Sequence, residues 1–392
     1  MFKTFKYRIE PNQVQKDIIE NYFNISRFVY NSLLAIKINA YQNDKKSILL
    51  NDLINTHIPN LVCNHDFLKN KYLPILEFTA IHLTNAYSNF FKKNAGFPKF
   101  KKKFKTKPAF KIPNYNSIKI VNNKLNIKLL DSLKISNPKK SLANLNYKSI
   151  KSVTITRDTN QHYYASILCE CENQTLPEIE DDINKNFSVG IDLGIRNNYT
   201  LYDGINIQTF SNINIFKKLE TKFKKLHRSI SKKVRFSKSW IKAKNKLGKL
   251  YFKVKSIRKT FNDQLTTYLI KTYDMITIEN LDLESMKQNR LGKQLSDLNF
   301  GQFREMLEYK ANWYGKQLNI VDRYFPSSKL CSNCRYLNSS LKRDDYKWTC
   351  PNCNHVHDRD ENAAENLYYA GLISFEYNFD FLTKEKYLSI NI

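Results

Sequence analysis

Two Cys-x-x-Cys pairs, Cys331–Cys334 and Cys350–Cys353, stand fifteen residues apart, and no other feature limits the folding of this chain so tightly. Each pair makes a tight turn that aims two thiolates at one tetrahedral ion, with the spacing of a four-Cys zinc ribbon. A closed set of four thiolates leaves no open coordination position, so the expected Zn²⁺ holds the fold and does no chemistry. The chain has seven Cys in all, and Cys63, Cys169 and Cys171 have no framework spacing. That usage points to a reducing compartment and away from a secreted disulfide scaffold. His355 and His357 lie just past the ribbon pairs and are read as bystanders.

Charge constrains the partner. The 392 residues carry 64 Lys and Arg against 36 Asp and Glu, a formal net charge of +28. With 42% hydrophobic and 13% aromatic residues, the chain is too apolar to be disordered. Such a surplus calls for a polyanion, nucleic acid before membrane. No run of about 18 uncharged apolar residues is present to span a bilayer. The opening MFKTFKYRIEPNQ reads as a strand, not a leader peptide, so a cytoplasmic protein without a membrane partner is expected. The basic residues concentrate in Lys99–Lys107, interleaved with aromatics, and in Lys217–Lys259, where 18 Lys and Arg meet one acid, Glu220. Either stretch suits a phosphate backbone or a solvated helix face. Phe97, Phe100 and Phe104 suit base stacking or ordinary packing.

Apolar spacing divides the chain in two. Phe2–Ile9 alternates as a strand, and Gln13 to Tyr41 and Leu73 to Phe91 follow a helical period. Val153–Arg157 and Tyr163–Leu168 flank a turn and read as a hairpin. The acidic run Glu178–Asp182 reads as a linker. From Phe187 onward strands and helices alternate: Phe187–Leu193, Tyr199–Tyr202, Met275–Glu279 and Leu318–Phe325 as strands, with helices over Lys217–Lys259 and Phe303–Tyr314. Leu226, Ile230, Val234, Leu247, Leu250, Ile257 and Phe261 supply the apolar stripe of the basic helices. The second half is therefore an α/β core, and the first half joins helices to a small β-domain.

Three acids stand out by position. Asp192 ends the apolar run Val189–Ile191, Glu279 ends Met275–Ile278, and Asp360 opens a helix-like run through Leu367. A carboxylate at a strand's C-terminal end reaches the sheet edge without being buried in the sheet. Several converging there repel one another unless hard cations bridge them, which is the two-metal arrangement for phosphodiester cleavage.

In order, these motifs resemble the TnpB family, transposon-encoded RuvC-like nucleases related to type V CRISPR effectors. The resemblance rests on Arg27-Phe28-Val29-Tyr30-Asn31, Gly96-Phe97-Pro98-Lys99-Phe100, Gly190-Ile191-Asp192-Leu193-Gly194 and Ile278-Glu279-Asn280-Leu281. It continues through Phe303-Arg304-x-x-Leu307-Glu308-Tyr309-Lys310, Pro326-Ser327-Ser328-Lys329, both Cys pairs and His357-Asp358-Arg359-Asp360-x-Asn362-Ala363-Ala364. Asn280 stands where an acid is common, and no motif follows Gly371. The resemblance implies an RNase H-like, RuvC-like α/β nuclease core (186–325 and 358–392) with an inserted zinc ribbon (326–357). It also implies a small wedge-like β-barrel (1–12 and 106–185) holding a helical recognition domain (13–105). Asp192, Glu279 and Asp360 become the catalytic triad and the Mg²⁺ ligands; Cys331, Cys334, Cys350 and Cys353 hold Zn²⁺. The implied activity is RNA-guided, metal-dependent cleavage of double-stranded DNA beside a short adjacent motif, with a guide from the transposon end, in the prokaryotic cytoplasm near the nucleoid. The alternative is an RNA-guided DNA-binding protein that no longer cuts, which loss of a triad acid would signal; none is missing. A strand-joining transposase would need a Tyr or Ser nucleophile in a recognisable setting, and none is apparent.

Overall fold

The computed structural model describes residues 2–45, 47–103, 105–113, 118–121, 124–136, 147–171, 187–194, 196–211, 215–281, 299–342 and 344–376. The chain divides into two compact units, Met1–Asn173 and Gln174–Ile392. The proposed linker Glu178–Asp182 and residue Phe104 lie outside the described residues. Among those described, no helix is long and apolar enough to cross a membrane.

In the first unit β1 (Phe2–Glu10) leads into α1 (Gln13–Asp44). Asn12 starts the helix: its side chain accepts the Gln15 N–H at 2.8 Å, and the Gln15 side chain accepts the Asn12 N–H at 2.9 Å. This reciprocal cap satisfies donors that the first helical turn leaves open. Two short helices, α2 (Leu50–Asp52) and α3 (Ile58–Asn64), bring the chain to α4 (Leu73–Phe91), with Pro74 in its first turn. Leu33 and Leu34 of α1 and Ile75, Leu76 and Leu83 of α4 are buried in one core, where helical spacing puts them on facing stripes.

Six strands follow: β2 (Ala109–Pro113), β3 (Lys119–Val121), β4 (Lys124–Ile127), β5 (Leu130–Ile135), β6 (Ser149–Arg157) and β7 (Tyr163–Glu170). With β1 they form one antiparallel sheet in the order β2-β6-β7-β1-β5-β4-β3. The β6–β7 turn is fixed by Asp158, whose carboxylate accepts the N–H groups of Asn160 and His162 at 2.8 and 2.9 Å. The expected barrel does not close among the described residues, because the edge strands β2 and β3 do not pair. Pro113 ends β2 without an N–H to offer a further ladder, and β3 is only three residues long.

The second unit is built on a five-stranded sheet. Its strands are β8 (Ser188–Asp192), β9 (Tyr199–Tyr202), β10 (Ile207–Phe210), β11 (Met275–Glu279) and β12 (Gln317–Val321), in the order β10-β9-β8-β11-β12. The first three are antiparallel; β8, β11 and β12 run parallel. Strand β12 is shorter than expected. Asp322 turns the chain out of the sheet by accepting the Tyr324 N–H at 2.8 Å.

Between β10 and β11 lie the basic helices α5 (Ile215–Ser231) and α6 (Lys238–Thr272). Phe223 of α5 packs with Leu250 and Val254 of α6. Val234 is no part of that stripe: it is 80% exposed in the connecting turn. Ser237 caps α6 by accepting the Trp240 N–H at 3.2 Å, which resets the helical phase.

After β11 come α7 (Phe300–Tyr314) and, past the cysteine ribbon with its hairpin of β13 (Lys347–Thr349) and β14 (Val356–Asp358), α8 (Arg359–Glu376). Helices α6 and α7 cover one face of the sheet, with Leu265, Leu269, Phe303 and Leu307 against Val189, Ile191, Ile276 and Ile278. Helix α8 lies against β8, β9, β11 and β12. A Cβ on Gly190 would collide with backbone atoms of Ala364 and Tyr368, and one on Gly371 with the Thr277 side chain. Glycine alone allows so close an approach of α8 to the sheet.

Candidate active site and metal centre

Pleat and register bring the three acids together. Val189, Ile191, Ile276 and Ile278 point to the α6–α7 core, so the alternate residues face α8. Gly190 and Thr277 are such residues, and they are direct partners across β8 and β11. Two positions further on, the same face carries Asp192 and Glu279 at the C-terminal ends of both strands. Asp360, in the first turn of α8, completes the group. Asp192 and Asp360 are buried, and Glu279 is half-buried.

Their electrostatics follow from that crowding. Burial pushes the Asp192 carboxyl well above its usual range, and the Glu279 and Asp360 charges push it further. Glu279 is also raised by burial, opposed by a hydrogen bond from the Ser327 hydroxyl and by the Arg359 charge. Asp360 is raised by burial and by Asp358, opposed by Arg196, by Arg359 and by the Asn197 amide, which donates at 3.1 Å. Arg359 thus acts on all three acids. It also donates to the Lys342 carbonyl at 2.8 Å and to the Ser328 hydroxyl at 3.3 Å.

Asp358 has a different place. Its carboxylate accepts the Asp360 N–H at 3.0 Å, capping α8, and lies 3.5 Å from Arg196. Asn280 accepts from Arg304 at 2.7 Å, and Arg304 also holds Glu308 at 2.8 Å.

The four ribbon cysteines bring their sulfurs within 4.8 Å of one another. Cys331 to Cys353 and Cys334 to Cys350 are each 3.6 Å apart. Four thiolates about 2.3 Å from a tetrahedral ion stand about 3.8 Å apart, so the set fits one such ion. Amides of Asn333 and Asn352 approach Cys353 and Cys334 at 3.5 and 3.4 Å. Burial raises the Cys331 thiol to about 12, whereas the Asn333 amide and the His355 N–H lower Cys353 to about 6. His355 is exposed, but His357 is more than a bystander: it is buried with Nε2 at 3.1 Å from Cys331 Sγ.

The sequence motifs gave no role to Ser327, Arg359, Asn362 or Asn366, which the fold gathers around the acids and the ribbon base. The one legible signal was the Asn362–Asn366 spacing, which puts two amides a turn apart on one helix face.

The basic stretches are placed as follows. Most Lys of α5 and α6 are exposed. Lys99–Lys103 runs along α1, pinned by Asn31, which exchanges hydrogen bonds with the Lys101 backbone at 2.8 and 3.0 Å. Lys101 sits 3.8 Å from the Tyr30 ring centre, and burial lowers its ammonium to about 8. Phe97 packs edge-on against Tyr87 and Phe90, and Phe100 is 50% exposed.

A mixed five-stranded sheet with acids on the face beneath its last helix, beside a four-cysteine ribbon, is an arrangement with known relatives. Residues 166–290 match the family model "Probable transposase", residues 300–367 the "Cas12f1-like, TNB domain" and residues 1–46 a "Helix-turn-helix domain". In this structure the last segment is one strand and one long helix. A Streptomyces pristinaespiralis protein named "Putative RNA-guided DNA endonuclease" is 29% identical, over 94% of this chain and 89% of its own. InsQ of Escherichia coli K12, under the same designation, is 26% identical over 94% and 92%. "TnpB-like protein L770" of Acanthamoeba polyphaga mimivirus is 26% identical over 94% and 73%. The fold is shared with Cas12f1 as solved in complex with sgRNA and target DNA: TM-score 0.51, 12% identity, 94% of this chain and 98% of that one. The class is thus that of the Cas12f1-like fold with a cysteine ribbon. The matched models and the relatives of near-full coverage together support a TnpB-family protein.

Proposed function

We propose that this protein is a transposon-associated, RNA-guided DNA endonuclease that hydrolyses target DNA beside a short adjacent motif, using a RuvC-type carboxylate site. The observation that carries the reading is the convergence of Asp192, Glu279 and Asp360 at the strand ends under α8. Relatives of near-equal length carry the matching designation. The guide comes from the transposon end, the target is double-stranded DNA, and the protein works in the prokaryotic cytoplasm.

The donor chemistry fits hard divalent cations, because three crowded carboxylates offer oxygen ligands and negative charge that a bound cation would offset. When bound, Mg²⁺ would lower the pKa of an attacking water and neutralise the leaving oxygen. Asp192, Glu279 and Asp360 would hold it, Asn197 orients Asp360, and Arg359 favours the ionised state of all three acids. Zn²⁺ in the Cys331, Cys334, Cys350 and Cys353 set would be structural. Residues 1–12 and 106–185 serve as the wedge, 13–105 as the recognition helices, 186–325 and 358–392 as the nuclease and 326–357 as the ribbon.

The direct test is to purify the protein with the RNA it carries, sequence that RNA and present a matching plasmid in Mg²⁺. Transposon-end RNA and guide-matched cutting are expected. RNA-free protein, with no gain from added transposon-end RNA, would sink the reading.

The basic helices supply a second test. Changing Lys224, Lys225, Lys232 and Lys233 together to Gln spares the apolar stripe at Phe223, Leu226 and Ile230. Nucleic-acid binding should weaken equally for all sequences, and the slope of log affinity against log salt should flatten by about one unit for every phosphate left without its lysine. An unchanged slope would remove α5 and its following turn from the binding surface.

A further inference from the structure

The loop Pro326–Leu330 enters the cysteine ribbon and also touches a site acid. The Ser327 hydroxyl donates to Glu279 Oε1, and Ser327 itself is buried. Two asparagines one helical turn apart on α8 hold this loop. Asn362 Nδ2 donates to the carbonyls of Ser327 and Leu330 at 3.3 and 2.8 Å, and Asn366 Nδ2 to the same pair at 2.8 and 2.7 Å. Asn362 Oδ1 accepts the Ser332 N–H at 3.0 Å. Both amides are almost wholly buried. The loop closes on itself through N–H groups of Lys329 and Leu330 to the Pro326 carbonyl, both at 2.9 Å. Cys331 follows immediately.

The arrangement is costly to loosen. Each amide–carbonyl bond is buried, and losing both amides would leave the Ser327 and Leu330 carbonyls without these donors, at about 1–3 kcal/mol each. A hydroxyl on a loop fixed at both ends, by α8 and by the first ribbon cysteine, therefore meets Glu279 in one orientation. A mobile surface serine could not do this.

We propose that Ser327 is a positioning residue that sets the Glu279 carboxylate for divalent-cation binding, held in place by the Asn362–Asn366 clamp and the Cys331 end of the ribbon. The proposal rests on the carboxylate reading above. Partners that orient a metal-binding carboxylate from outside typically change metal affinity by about 10–100-fold when removed.

The test uses the full chain with its copurified RNA, in four forms: unmodified, Ser327→Ala, Ser327→Thr and Asp192→Ala. Mn²⁺ is titrated while the melting temperature is followed, and Mg²⁺ is titrated in target cleavage, with gel shift of the same target. Ser327→Ala should raise both metal midpoints about tenfold and leave target binding and the metal-free melting temperature near those of the unmodified protein. Ser327→Thr, which keeps the hydroxyl, should restore both midpoints. Unchanged midpoints in Ser327→Ala would overturn the proposal. So would a lowered metal-free melting temperature with unmoved midpoints, which would make Ser327 a packing residue only. Asp192→Ala separates the two levels. If it still cuts, the carboxylate reading fails; if it is inert while Ser327→Ala behaves like the unmodified protein, only this inference fails.

Discussion

Asp192→Ala is expected to abolish target cleavage and to leave guide-dependent DNA binding close to that of the unmodified protein. Asp192 is the acid on which burial and both neighbouring charges act together, so its removal takes away the central carboxylate of the proposed metal site. Losing one preorganised group aimed at developing charge costs about 10²–10³ in rate, and losing an ion's ligand also misplaces the ion. Cleavage should therefore fall at least a hundredfold. Affinity, by contrast, comes mainly from phosphate contacts and base pairing. Plasmid cleavage in Mg²⁺ and gel shift of the same target measure the two properties. Full cutting by the variant would discard the assignment. Glu279→Gln and Asp360→Asn should match it, whereas Asp358→Asn, altering a cap and an Arg196 partner, should weaken α8 more than chemistry.

The other large effect concerns the ribbon. Its apolar core among the described residues is Leu341 and Trp348 with the cysteines themselves, too little to fold unaided. Ion binding to such sites contributes about 10–16 kcal/mol in isolated zinc fingers, and that contribution is folding energy. Cys331→Ser with Cys334→Ser should eliminate bound zinc and expose residues 326–357 to proteolysis and hydrogen exchange. Metal analysis of the unmodified protein should return about one Zn²⁺ per chain. Zinc-free protein from a chelator-free preparation would refute this.

These two predictions draw on what was legible in the sequence, and the reason is locality. Cys-x-x-Cys turns and an acid ending an apolar strand are patterns of a few adjacent residues. The pairing of Thr277 with Gly190, which puts Asp192 and Glu279 on one face, is not such a pattern. Neither is the Asn197 bond to Asp360 across 163 positions or the Ser327 bond to Glu279 across 48. Val234 was misplaced for a related reason: the lysine rhythm continues unbroken through the turn, and only the Ser237 cap marks the break. Closure of the first sheet depends on whether two edge strands meet, which no strand's own residues announce. The Asn362–Asn366 pair was within reach, since amides a turn apart share one helix face, and on a buried face they need acceptors.

The order in which the elements of the second unit leave the ribosome has its own consequence. The basic helices α5 and α6 are made early, and α8 is last among the described elements. Until α8 is made, the sheet face that receives Ala364, Leu367 and Ala370 has no cover, and Asp360 and Arg359 are missing from the acid group. At synthesis rates of about 5–20 residues per second, the 81 positions between Glu279 and Asp360 keep that face bare for about 4–16 seconds. A message broken before codon 360 yields a polypeptide with the cationic helices intact and an incomplete acid group. In the proposed reading such a fragment would keep the basic surface for nucleic acid and lose the cutting site, and its uncovered sheet would mark it for aggregation or proteolysis.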